Sequence, residues 1–152
     1  MTKTVVQDFM TSSPVTARQD MTLAELVELF DEYGRRGLAV TDEAGKLVGI
    51  VTETDLFLKA KGIPFSIEKI PTLLGKAITP DEIEHAEICK NVQVHEVMSK
   101  DVVTVTEDVS LERVAMLMHS KKVTLVPVVR NGEMIGEVRR IQVLKGIYCD
   151  QG

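Results

Sequence analysis

Thr52 and Asp55 stand three residues apart, where the apolar run Gly49-Ile50-Val51 gives way to a helical pattern. A hydroxyl at a strand-to-helix junction lies beside N–H groups that no helical carbonyl reaches, and the helix dipole there favours anions such as phosphate. Asp55, one turn on, falls on the same face as Thr52. Gly49 would let backbone approach closely beneath a bound molecule. The same pair would serve equally as a capping box, with Thr52 closing the helix and Asp55 reaching back to it. Spacing alone does not separate the two readings. A second candidate is Arg139-Arg140, because a planar guanidinium binds phosphate oxygens in pairs. Arg36 and Lys122 are weaker candidates on the same logic. The plain alternative for these cations is a solvated basic surface.

These residues must be positioned by elements that occur twice. Met10 and Met98 stand 88 residues apart, and the same spacing relates Val15-Thr16 to Val103-Thr104, Asp20 to Asp108, Leu23 to Leu111 and Val40 to Val128. After one deletion the spacing becomes 87, relating Gly45 to Gly132, Gly49 to Gly136 and Val51 to Val138. So long a period reads as duplication of one compact unit rather than a solenoid.

Each unit begins with a β-branched segment, Ser13-Pro14-Val15-Thr16 or Val102-Val103-Thr104-Val105, expected as a first strand. Thr22 and Ser110 are good helix caps. Behind them Leu23, Leu26, Val27 and Phe30, and again Leu111, Val114, Ala115 and Met118, fall at i, i+3, i+4 and i+7. A strand, a tight turn and a second strand follow, with Asn131-Gly132 a strong hairpin signal. A closing helix is predicted near residues 53–61 and 140–147. The expected fold is therefore α+β, two β-α-β-β-α repeats. A small one-sided sheet cannot bury itself, so the repeats are expected to pack face to face about a pseudo-twofold axis. The repeats are placed at residues 1–60 and 92–152, with a partly helical connector at 61–91.

Composition limits the function classes. Hydrophobic residues make up 44% and charged ones 27%, a globular mixture rather than a disordered one. The net charge of −5 argues against a nucleic-acid partner, which needs a basic face. No run approaches the ~20 apolar residues of a membrane helix, and the first residues lack a signal peptide's apolar run, so no membrane partner and a cytoplasmic location are expected. Cys89 and Cys149 are expected as reduced structural thiols, and His85, His95 and His119 are too dispersed for a metal motif.

Three segments together resemble the CBS domain family, and specifically a tandem CBS pair (a Bateman module). The first is Phe9-Met10-Thr11 to Val15-Thr16, repeated as Val97-Met98-Ser99 to Val103-Thr104. The second is Leu38-Ala39-Val40-Thr41-Asp42 ending at Gly45, repeated as Val126-Pro127-Val128-Val129 ending at Gly132. The third is Gly49-Ile50-Val51-Thr52-Glu53-Thr54-Asp55-Leu56, similar to the family's nucleotide signature. The resemblance implies a regulatory protein, not an enzyme and without a catalytic cofactor, that binds AMP, ADP or ATP in a cleft between the repeats. It implies ribose held by Asp55, phosphate by Thr52, the base by backbone at Val15 and Thr16, and a wall of Gly37, Leu38 and Ala39. The apolar members serve equally well as plain core. Where the signature would recur, the second repeat has Arg139, Arg140 and Gln142, so one site is expected rather than two, with the arginines turned to phosphate.

The expected partners are an adenosyl ligand, a second copy of the chain and a regulated protein. S-adenosylmethionine is an alternative occupant, although its sulfonium would sit poorly beside Arg139 and Arg140. A ligand-free interaction scaffold is the competing reading. In the connector, Thr79-Pro80-Asp81-Glu82 reads as a helix start, and Leu73, Leu74, Ile78, Ile83 and Ile88 offer apolar surface for docking.

Overall fold

The computed structural model describes residues 4–58 and 91–149. The predicted helix start at Thr79, the apolar docking residues of the connector, His85 and Cys89 lie outside the described residues.

The elements run α1 (Val6–Phe9), β1 (Thr11–Ser12), β2 (Ala17–Arg18), α2 (Leu23–Tyr33), β3 (Gly37–Thr41), β4 (Leu47–Thr52) and α3 (Glu53–Leu58). After the connector come α4 (Val94–Val97), α5 (Leu111–Lys121), β5 (Leu125–Arg130), β6 (Glu133–Arg139) and α6 (Arg140–Tyr148). They form mixed α/β structure with two three-stranded sheets, one ordered β1-β6-β5 and the other β2-β3-β4.

The chain divides into two compact units, and each draws on both halves of the sequence. Among the described residues, the first gathers 4–15, 43–47 and 101–149, and the second gathers 16–42, 48–58 and 91–100. In the first unit the amino-terminal lead-in joins the second repeat. Val6 N–H donates to the Val109 carbonyl at 2.8 Å, Leu111 N–H donates to the Thr4 carbonyl at 3.1 Å, and β1 pairs antiparallel with β6. The second unit repeats this with the other lead-in. Val94 N–H donates to the Met21 carbonyl at 2.9 Å, Leu23 N–H donates to the Val92 carbonyl at 3.2 Å, and Ser99 bridges antiparallel to Ile50.

The helices form where the apolar spacing predicts them. Leu23, Leu26 and Phe30 of α2 are buried, as are Leu111, Val114 and Met118 of α5. The core of the first unit joins these α5 residues to Val6, Val126, Val128, Val138 and Val143, so the lead-in helix is part of the core. Both caps form. The Thr22 hydroxyl accepts the Glu25 N–H at 3.2 Å, and the Ser110 hydroxyl accepts the Arg113 N–H at 3.2 Å. In the first case Glu25 reaches back to Thr22 and completes a capping box. Thr22→Ala is expected to cost about 1 kcal/mol in urea unfolding, because it orphans a first-turn donor.

The first strands differ from the expectation. Ser13-Pro14-Val15-Thr16 carries no strand pairing; the parallel pairing is made one residue later, Ala17 with Val40 and Arg18 with Thr41. Ser13 has φ 53° and Pro14 has no N–H to give, so a ladder cannot run through them. In the second repeat only Val105 pairs, in parallel with Val128.

Candidate functional site

The β4–α3 junction of the second unit collects four of the candidate residues. The Glu53 N–H donates to the Arg36 carbonyl at 3.0 Å, which ties the start of α3 to the residue ahead of β3. Gly37 follows, and a Cβ built on it would stand 3.2 Å from Thr52 Cγ2, so the glycine keeps the two strands close here. Asp55 is 6% exposed, and its Oδ2 accepts the Thr52 N–H at 2.9 Å and faces the Thr52 hydroxyl at 3.4 Å. The arrangement supplies one half of the capping geometry that the spacing allowed, the Asp55 carboxylate reaching back to the Thr52 N–H. A carboxylate offers about four acceptor positions, so capping and ligand contact are compatible. Arg36 is exposed, whereas Leu38 and Ala39 are fully buried in β3 as core residues.

The remaining candidates belong to the first unit or to the segment between β1 and β2. Val15 and Thr16 are half-buried. Arg139 is 43% exposed, and its Nε stands 3.8 Å from Oε2 of Glu137, which is 1% exposed. That Nε makes no hydrogen bond, so the contact is an ion pair without a shared proton. Arg140 is exposed, and its N–H donates to the Thr124 carbonyl at 2.9 Å, the counterpart of Glu53 on Arg36. Lys122 is the left-handed cap of α5 at φ 55°, where the first repeat has Gly34 at φ 61°.

Two residues acquire roles that sequence reasoning missed. Gln142 stands where the first repeat has Asp55, and all of its amide is engaged. Its Oε1 accepts the Arg139 N–H at 2.7 Å, while its Nε2 donates to the Phe9 carbonyl at 2.9 Å and the Thr11 hydroxyl at 2.8 Å. It caps α6 and fastens the lead-in. Glu137 is a buried carboxylate at the position of Ile50; the one signal was a charge inside an apolar strand.

Gly49 also has a different neighbour from the one expected. A Cβ there would lie 2.5 Å from Met98 Sδ and 2.9 Å from the Ser99 carbonyl, so the close approach is made by lead-in backbone. The carboxyls held below their usual range, Asp20 by a hydrogen bond from Arg18 and Asp108 by one from Thr106, lie in exposed turns outside the junction. Among the described residues, no cluster could hold a metal ion, no helix is long and apolar enough to cross a membrane, and Cys149 is an exposed free thiol.

The CBS domain family model matches residues 6–62 and 94–148. Inosine-5'-monophosphate dehydrogenase of Methanocaldococcus jannaschii is 31% identical over 142 residues, which are 93% of this chain and 22% of the enzyme. The chain spans about a fifth of the length of the first curated relatives it matches. Among solved structures, the CBS domain of a CBS domain containing membrane protein from Sphaerobacter thermophilus superposes with a TM-score of 0.71 at 35% identity, covering 94% of this chain and 87% of that one. CBSX2, solved in complex with AMP, superposes with a TM-score of 0.69 at 26% identity, covering 95% and 96%.

Proposed function

Because this chain belongs to the CBS domain family, with one CBS domain in each half, we propose that it is a non-catalytic regulatory module that binds an adenine nucleotide and reports its presence to a protein partner. The observation that carries the reading is the contrast between the two junctions. At β4–α3 a buried carboxylate, a hydroxyl and a glycine stand beside the exposed Arg36. At β6–α6 the amide of Gln142 is spent on the protein itself. One nucleotide per chain follows. Asp55 accepts hydrogen bonds from the ribose hydroxyls, and Thr52 and Arg36 meet the phosphate. The AMP carried by CBSX2 supports the ligand class. Binding is transmitted only by as much as the ligand prefers one state of the protein, typically ~1–3 kcal/mol.

Thermal unfolding in the presence of AMP, ADP, ATP and S-adenosylmethionine tests this. A ligand at 100 times its Kd is expected to add about 2.7 kcal/mol of stability. Asp55→Asn keeps an oxygen for the Thr52 N–H but loses the charge. It is expected to weaken binding about tenfold or more, with the folded circular dichroism spectrum retained. A saturable response to S-adenosylmethionine alone would replace the nucleotide with that ligand. No response to any of the four, in folded protein, would leave the interaction scaffold as the function.

A further inference from the structure

We infer that the groove between α5 and α6 binds a small amphiphile, an apolar body that carries an oxyanion head. The inference goes beyond the nucleotide reading and does not depend on it. Between α5, residues 122–124 and α6 lies a cavity of ≈ 530 Å³, a size typical of small-molecule sites. Met118 and Val143, both buried, line it together with the half-buried Ile147. Leu144, 43% exposed, carries the apolar lining out to the surface. Backbone fixes the frame of the groove. The Arg140 N–H at the start of α6 donates to the Thr124 carbonyl at 2.9 Å. Further along α6, a Cβ on Gly146 would overlap Leu111 Cδ1, so the glycine lets α6 lie close on α5.

The charge of the lining is one-sided. Lys122 and Arg140 are exposed and carry charge at neutral pH, and His119 lies in the same lining. Among the described residues that line the cavity, none is acidic. The chain as a whole has a net charge of −5, so this groove departs from the balance of the rest.

The internal similarity shows how local the departure is. Asp31 corresponds to His119 and Gly34 to Lys122 at the 88 spacing, and Glu53 corresponds to Arg140 at the 87 spacing. Where the first repeat has carboxylates, the groove has an imidazole and a guanidinium. Lys122 stands where the backbone favours glycine. It holds φ 55° as Gly34 holds φ 61°, a left-handed conformation that a Cβ opposes. The chain thus bears a lysine against its backbone preference, and that lysine brings an ammonium to the lining of an apolar cavity. An apolar body in the cavity leaves water, and a carboxylate or phosphate head beside Lys122 and Arg140 meets opposite charge. A neutral molecule of the same shape gains only the first of these, and a cation is repelled.

Isothermal titration calorimetry of the full chain tests the site, using decanoate, decyl phosphate, decanol and decyltrimethylammonium below micelle formation. Both anions are expected to bind saturably, about tenfold or more tighter than decanol, and the cation not at all. The tighter anion identifies the head group. Across hexanoate, octanoate and decanoate the Kd is expected to fall about threefold per methylene. Arg140→Glu is expected to weaken decanoate about tenfold or more, with folding checked by circular dichroism. Lys122→Gly suits the left-handed backbone, so it is expected to fold at least as stably as wild type and still to weaken decanoate about fivefold. Absence of saturable binding by either anion would overturn the inference. So would decanol that binds as tightly as decanoate, or two variants that bind decanoate as wild type does. Decanoate binding that weakens as protein concentration rises would overturn it too, because a second copy of the chain would then occupy the groove.

Discussion

Gly136→Val is expected to lower the stability of the chain by about 3 kcal/mol in urea unfolding. A Cβ at this position would stand 2.8 Å from the Thr11 carbonyl oxygen and 2.9 Å from Met10 Sδ. The methionine end can swing away; the carbonyl cannot, because Ser12, paired opposite Gly136, and Thr11, paired with Glu137, fix that backbone to β6. Valine adds two further methyl groups to a space that is already closed. The lead-in must then detach from the strand, and detachment exposes Val6, which is 0% exposed in the core of the first unit. Gly49→Val is expected to act in the same way on the second unit, through the Ser99 carbonyl at 2.9 Å. Stability within ~0.5 kcal/mol of wild type, the range of ordinary surface changes, would show that the lead-ins do not lie on β4 and β6 in solution.

The same two glycines show what the sequence discloses and what it hides. Their equivalence is plain from spacing, and the structure honours it closely. Val105 pairs with Val128 as Ala17 pairs with Val40, Arg140 donates to Thr124 as Glu53 donates to Arg36, and Ser110 caps α5 as Thr22 caps α2. Helices, caps and hairpin strands are local, set by residues within a turn or two of each other, so periodicity and capping chemistry reveal them. The neighbour of Gly49 is not local. Sequence reasoning supplies a ligand for the space above it, whereas the occupant is a segment nearly fifty residues on. The hydrogen bonds of Gln142 to Phe9 and Thr11 span 133 and 131 residues, and no local pattern encodes a contact of that range. The repeat boundaries expected at residues 60 and 92 follow the internal similarity of the sequence, while the compact units of the fold take a lead-in from the opposite repeat. At the candidate site the Thr52–Asp55 pair was legible as a capping box or a binding pair. The fold forms one half of the box, with the Asp55 carboxylate on the Thr52 N–H, and a ligand titration decides the binding reading.

Gln142→Glu is expected to destabilise the chain by about 2–3 kcal/mol at neutral pH, although it changes one atom of the side chain. The glutamine works through two different ends, an acceptor toward the Arg139 N–H and a donor toward the Phe9 carbonyl and the Thr11 hydroxyl. A carboxylate keeps the first contact. The Thr11 hydroxyl can turn to donate to it, but the Phe9 carbonyl loses its donor and meets a negative oxygen instead. The introduced carboxyl therefore holds a proton more tightly in the folded chain than in the unfolded one, since only the protonated form can donate to Phe9. Its folded pKa lies above its unfolded value, so the folded variant binds the extra proton and gains stability as pH falls, and loses that gain as pH rises through the folded pKa. The deficit relative to wild type should thus shrink from pH 7 toward the carboxylate range. Gln142→Ala removes both ends and should show a comparable deficit at pH 7 with no recovery on acidification. Paired urea titrations of the two variants at pH 7 and pH 5 distinguish these courses. Parallel behaviour of the two would mean that Gln142 acts only as the cap of α6, and that the lead-in is held to its unit by backbone pairing and apolar packing without the Gln142 amide.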